Sequence, residues 1–171
     1  MNISVVVGNP KAGSRTLALA TAVATSIAGP GDAISVIDLA EYTGEIFVWP
    51  SERMAKLNHD VATSELAIFG SPTYKAAYTG LLKAFLDRYP HRGLRDIAAI
   101  PLMTGADTAH SMAPDTTLRP LLVELGASVP TSSFYFETPH FDRSDEFIDH
   151  WLDENSVALD SLRNRSAVSA R

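Results

Sequence analysis

The stretch Ile3-Ser4-Val5-Val6-Val7-Gly8-Asn9-Pro10-Lys11-Ala12-Gly13-Ser14-Arg15-Thr16 decides how this chain is read. It begins as a short β-branched run, which predicts a buried strand. Gly8 and Pro10 then break the run into a turn, with Gly8 permitting the sharp exit from the strand. The turn ends on Ser14, Arg15 and Thr16, just before an Ala- and Leu-rich helix expected over residues 17–27. Hydroxyls, a guanidinium and unpaired helix N–H groups converge there, and such a point favours a phosphate. A helix cap alone would need only Ser14. The loop length and Arg15 exceed that need.

Further strands are predicted at 33–37, 66–69, 97–102 and 133–136, with helices between them at 52–61, 81–88, 117–125 and 147–162. Ser51 is placed to cap the second helix, and Gly126 to end the fourth. The last helix carries an apolar face of Phe147, Ile148, Trp151, Leu152, Leu159 and Leu162. Strand and helix alternate throughout, which argues a parallel sheet with helices on both faces. The expectation is an α/β, flavodoxin-like three-layer sandwich whose five parallel strands take the order 2-1-3-4-5. Residues 1–163 are read as a single domain and 164–171 as a polar, frayed tail. Residues 42–50 are the least regular segment.

Composition narrows the function. The 171 residues are 46% hydrophobic and 20% charged, which suits a globular domain with a full core. Without cysteine, disulfides, thiol catalysis and thiolate metal sites are excluded. The net charge of −6 argues against broad nucleic-acid binding. No apolar run is long enough to span a membrane, no basic region precedes the first one, and a cytoplasmic address is expected. The five histidines show no H-x-H or H-E-x-x-H spacing, and no G-x-S-x-G elbow is present.

In the expected strand order, the loops after strands one, three and four line one crevice at the topological switch point. The first departs from G-x-x-x-x-G-K-[ST], because Ser14 and Arg15 stand where Lys and Ser/Thr would be. It also departs from G-x-G-x-x-G, because Pro10 takes the second glycine's place. A single terminal phosphate, as on a mononucleotide, fits better than an NTP or a dinucleotide across the loop. The second loop, residues 70–80, offers Pro72, Thr73, Tyr74 and Lys75. Pro72 holds the backbone extended, leaving main-chain groups to read the polar edge of a flat ring. The third, residues 104–110, offers Thr104, Gly105 and His110, with Gly105 permitting close approach of backbone to a ring.

With these loops in view the chain resembles the NAD(P)H-dependent FMN reductase family, in particular the small reductases that supply reduced flavin to alkanesulfonate-type monooxygenases. The matching segments are Gly8 to Thr16, then Ser71-Pro72-Thr73-Tyr74-Lys75-Ala76-Ala77-Tyr78-Thr79-Gly80-Leu81-Leu82-Lys83, then Pro101-Leu102-Met103-Thr104-Gly105 with Ala109-His110 and Leu118-Arg119-Pro120. The resemblance implies that Ser14, Arg15 and Thr16 bind the FMN phosphate, with Asn9 and Lys11 in the same loop. Pro72, Thr73, Tyr74 and Lys75 would hold the pyrimidine side of the ring, and Thr104, Gly105 and His110 would flank it. It further implies NADPH or NADH as hydride donor and a homodimer or homotetramer; for charge developing on the ring, the main-chain donors of residues 73–75 are the expected stabilisers. A flavin-dependent monooxygenase is the implied protein partner. Lys11, Lys75 and Arg119 are the candidates to meet a 2′-phosphate. Some two-component members carry an extra tyrosine that bulges the helix after the third loop. Here it is absent, and Thr116 stands nearest its place. Two other readings are an FMN-retaining reductase of quinones, azo dyes or metal oxyanions, and a non-enzymatic electron carrier of flavodoxin type. Flavodoxins favour a T-x-T-G-x-T phosphate loop and an acidic partner face, whereas this loop carries Lys11 and Arg15.

Overall fold

A computed structural model describes residues 1–169. Five strands, β1 (Asn2–Val7), β2 (Ala33–Asp38), β3 (Leu66–Pro72), β4 (Ala98–Gly105) and β5 (Phe134–Glu137), form one sheet of order β2-β1-β3-β4-β5. Every neighbouring pair is parallel. This is the expected doubly wound order, and β1 sits at its turning point, between β2 and β3.

The pleat sorts the apolar run of β1 into two cores. Ile3, Val5 and Val7 face one layer and Val6 the other. On the first side lie α1 (Arg15–Ile27), α5 (Ser144–Glu154) and α6 (Ser156–Ser169). On the second lie α2 (Glu52–Ala62), α3 (Gly80–Leu86) and α4 (Arg119–Glu124). Both faces of β1 are thus buried, which is why its sequence runs apolar instead of alternating.

Pro101 stands inside β4, where proline removes a ladder donor. Ala98 N donates to Glu65 O on the β3 side, and Ala99 N to Ser128 O on the other. Pro101 shares the side of Ala99, and β5 pairs with β4 only from Leu102 onward. The missing N–H therefore faces a gap in the ladder, not a partner strand.

Three expected elements differ. The single helix read over 147–162 is two, α5 and α6, parted at Asn155. Asn155 is buried, donates from Nδ2 to Trp151 O at 2.8 Å, and accepts at Oδ1 from Ser132 N at 2.8 Å. It therefore ties the helix end to the segment entering β5. Asn155→Ala is expected to destabilise the fold by about 1–3 kcal/mol, since it removes the buried amide that holds Ser132 N and Trp151 O. A denaturant melt checks the size. The segment expected to fray from residue 164 continues as helix to Ser169, and its last two residues lie outside the described ones.

The third difference precedes α4. Pro114–Leu118 forms a π turn, marked by Arg119 N bonding to Pro114 O five residues back. No tyrosine is needed to make it. Pro120 has no N–H for the Thr116 carbonyl, and its ring crowds that carbonyl out of an α turn. The hydroxyls of Thr116 and Thr117 bond back to Met112 O and Ala113 O, at 2.9 and 2.6 Å.

After β2 the chain makes a short 3-10 turn (Leu39–Tyr42) and then runs irregularly to Ser51, as residues 42–50 foretold. Arg88 fastens this run. It stacks on the Trp49 ring at 4.0 Å and donates to the carbonyls of Ile46 and Val48 at 2.9 and 3.1 Å. Among the described residues no helix is long and apolar enough to cross a membrane.

Candidate flavin site

Strand order brings the loops after β1, β3 and β4 to one edge of the sheet, where they enclose a cleft of about 470 Å³. That lies within the range of small-molecule sites, roughly 300–1,000 Å³.

The first loop is shaped by its own polar groups. Asn9 Oδ1 accepts from Lys11 N at 3.0 Å, closing an Asx turn. Gly13 is left-handed, φ 61°, and its N–H donates to Asp38 Oδ2 at the end of β2. Ser14 caps α1, its Oγ accepting from Leu17 N at 3.2 Å. So the simple cap is real, yet it uses only the oxygen and leaves the hydroxyl proton to donate. The amides of Ser14, Arg15 and Thr16 have no acceptor among the described residues. Three free N–H groups at the positive end of a 13-residue helix, with Lys11 and Arg15 beside them, make a strong anion site. Arg15 is exposed and rests near the Phe141 ring, 5.8 Å from its centre.

Gly8 has a different role from the expected sharp turn. Its φ is not left-handed. A Cβ there would lie 2.4 Å from Leu82 Cβ and 2.7 Å from Leu82 N. The start of α3 therefore presses directly on the Gly8 backbone, and the Thr79 hydroxyl donates to Gly8 O.

Behind the anion site, Thr16 and Thr104 are buried and their hydroxyls lie 2.8 Å apart. Asn9 Nδ2 reaches Thr16 Oγ1 at 3.4 Å. One of the two threonine protons is spent between them. The other remains for a ligand.

On the ring side, Thr73 N donates to Thr104 O at 2.7 Å and Tyr74 N to Ala77 O at 2.9 Å. Of the main-chain donors expected to face developing charge, Lys75 N alone has no partner among the described residues. Lys75 and Ala76 are both left-handed, φ 53° and 63°, as the centre of a type I′ turn demands. Strain of this kind in non-glycine residues gathers at functional sites. Thr73 Oγ1 is buried and makes no hydrogen bond of good geometry, although the Tyr135 phenol lies nearby. An orphaned hydroxyl lining a cleft is a place for a ligand's polar edge.

Gly105 also has an internal reason. A Cβ there would fall 1.8 Å from the Tyr135 hydroxyl. The space that glycine leaves is filled by that phenol, not by an incoming ring. The Tyr135 hydroxyl donates to Asp107 O at 2.6 Å. Burial pushes its pKa up, and Asp107 and Glu137 add to the effect. The phenol thus stays protonated through the ordinary tyrosine value near 10, and the bond to Asp107 fails only as pH climbs through the higher folded value.

Asn9, Lys11, Ser14, Arg15 and Thr16 line the cleft, as do Pro72, Thr73, Tyr74, Thr104 and Gly105. Lys75 and His110 do not: Lys75 turns outward in the type I′ turn, and His110 ends an exposed 3-10 turn (Thr108–His110). Gly13, Ala106 and Thr138 were not foreseen. Thr138 arrives from the turn after β5, because β5 lies beside β4. Only the sheet order gives a clue to it. Arg119 is not free to meet a phosphate. Its guanidinium is spent on Asp115, Val129 O, Thr131 O and Ser133.

The fold and cleft together define a flavodoxin-like protein with a mononucleotide-shaped site. The residues fit FMN: free amides for its phosphate at one end, and the orphaned Thr73 hydroxyl for its ring at the other. The chain belongs to the NADPH-dependent FMN reductase family, whose model matches residues 1–140. That membership makes it an oxidoreductase working on FMN with NADPH or NADH. It is 29% identical over 130 residues to an FMN reductase (NADPH) of Escherichia coli K12, covering 74% of this chain and 68% of that one. It is 32% identical over 83 residues to the NADH-dependent FMN reductase SfnF of Pseudomonas putida, covering 48% of this chain and 45% of SfnF. Among solved structures, an apo NADH:FMN oxidoreductase (EmoB) superposes with a TM-score of 0.78 at 29% identity, covering 88% of this chain and 87% of that one.

Proposed function

We propose that this protein accepts FMN as a substrate, reduces it with NADPH or NADH, and supplies the reduced flavin to a partner monooxygenase. The observation that carries the reading is one open cleft running from the free amides of α1 to the strand ends at Thr73 and Gly105. When bound, FMN supplies the hydride-accepting ring and the nicotinamide supplies the hydride. This chain's residues bind and orient. Ser14, Arg15 and the α1 amides hold the phosphate, and Lys11 adds charge. Pro72, Thr73 and Tyr74 hold the pyrimidine edge. Lys75 N–H, unpaired beside Tyr74 and outside the cleft lining, is the main-chain donor we assign to negative charge at the ring's outer edge. No side-chain acid or base is needed for hydride transfer between two cofactors.

The π turn ahead of α4 favours release of flavin over retention, by the resemblance to two-component reductases with a bulged helix at this place. Steady-state kinetics test this. Intersecting double-reciprocal plots with free FMN as substrate are expected; parallel plots with FMN retained through purification would support a flavin-retaining reductase instead. A coupled assay with a flavin-dependent monooxygenase tests the supply role. The protein is also proposed to form a homodimer or homotetramer through residues 42–50. Phe47 is 77% and Trp49 63% exposed there, more than a lone chain needs to show. Light scattering checks the assembly, and Trp49→Ser is expected to weaken it.

A further inference from the structure

The Tyr135 phenol is inserted between the third loop and the ring-side strand end, against Gly105, Asp107 and Thr73. Tyr135 lies on β5, the edge strand, in register with Met103 of β4. Its neighbours Phe134 and Phe136 turn into the α1/α5 core, so Tyr135 faces the opposite layer. From there it reaches past the end of β4. Its hydroxyl occupies the volume a Gly105 side chain would take, and it donates to Asp107 O at 2.6 Å. Asp107 in turn caps the following 3-10 turn, its Oδ1 accepting from Ala109 N at 2.9 Å. Thr73, the buried hydroxyl of the ring side, lies next to the same phenol.

We propose that Tyr135 is a positioning residue for flavin: its phenol, seated on Gly105 and bonded to the Asp107 carbonyl, fixes the backbone of residues 104–107 in the shape that flanks the ring. This rests on the flavin reading of the cleft. A phenylalanine would keep the ring but remove the hydroxyl that sits on Gly105, and leave the Asp107 carbonyl without its donor. The loop after β4 has few other ties. Its residues 106–109 are exposed, and a short 3-10 turn holds itself weakly. A ring contact set by that loop therefore depends on this bond.

The test is Tyr135→Phe, titrated with FMN and with riboflavin by flavin fluorescence. The dissociation constants of both flavins are expected to rise by the same factor, roughly 3- to 10-fold, as for one lost hydrogen bond. The KM for FMN rises alike while kcat at saturation stays within about twofold. A merely structural role would lower the melting temperature and leave this pattern unmade. Gly105→Ala, which sets a methyl on the phenol, should weaken both flavins further. Wild-type affinity for both flavins in either variant overturns the proposal, and so does a loss confined to FMN. If wild-type protein binds neither flavin, the cleft reading falls and takes this proposal with it. If Arg15→Ala selectively weakens FMN but Tyr135→Phe changes nothing, the cleft reading stands and only this proposal falls.

Discussion

Arg15→Ala is expected to weaken FMN binding by roughly 10- to 100-fold while leaving riboflavin within about twofold of wild type. A charge-assisted hydrogen bond to a phosphate is worth about 1.5–3 kcal/mol, and each 1.4 kcal/mol is tenfold. Riboflavin has the same ring and no phosphate, so it reports everything except this contact. The fold has little stake in Arg15. The side chain is exposed, and among the described residues it rests on the Phe141 ring at 5.8 Å, worth about 0.5–1 kcal/mol at such a site. Calorimetric titration of both flavins at two salt concentrations measures the effect, and the FMN difference should shrink as salt rises. Equal losses for FMN and riboflavin would contradict the assignment. The backbone amides of Ser14, Arg15 and Thr16 survive the substitution, which is why binding is weakened and not abolished.

Gly8→Ala has the largest expected effect on the fold, a loss of about 3 kcal/mol. The added methyl meets Leu82 N and Cα at 2.7 and 2.8 Å. Those are backbone atoms of α3 and cannot swing aside as a side-chain tip can. Overpacking of this kind typically costs about 1–3 kcal/mol, and rigid backbone on the other side puts it at the upper end. To admit the methyl, α3 must retreat and the Thr79 hydroxyl must leave Gly8 O. Thr79 N is also held by Ser71 Oγ, at 2.9 Å, so the disturbance reaches the end of β3 and the ring side of the cleft. The melting temperature should fall by roughly 6–12 °C for a chain of this size, and both flavins should bind more weakly. A melting temperature equal to wild type would show that α3 yields without cost.

These two outcomes separate what local sequence can reveal from what it hides. The place of Arg15 is legible in the sequence because everything that sets it is contiguous: a strand, a turn, a hydroxyl cap and a helix start within fourteen residues. Gly8 is the opposite case: its place in the sequence points to a sharp strand exit, whereas in the fold it makes room for α3. A glycine at a strand exit looks like a turn residue, and the pressure on it comes from Leu82, more than seventy positions away. Gly105 repeats the lesson, since the atom in its way is the hydroxyl of Tyr135. The main-chain donors of Thr73 and Tyr74 looked free because their acceptors, Thr104 O and Ala77 O, become partners only when β3 meets β4 and the type I′ turn closes. The bulge before α4 forms without the tyrosine that marks it in some two-component members, because Pro120 makes it. A proline acts on the carbonyl four residues earlier, and that signal was present in the sequence.

From the sequence alone came the five strands, their parallel order, the two helix layers and the capped turn that leads from β1 into α1. Each follows from periodicity, from the alternation of strand and helix or from contacts within a few residues, where the chain's own covalent geometry limits the choices. Only the tertiary structure decided which polar groups were still unpaired, which glycines were filled by distant side chains, that Thr138 from the turn after β5 lines the cleft, and that Tyr135 of β5 sits against Gly105. Those facts depend on where remote segments come to rest against one another, and a hydrogen-bond partner or a steric neighbour supplied from across the sheet leaves no mark on the residues beside it in the chain.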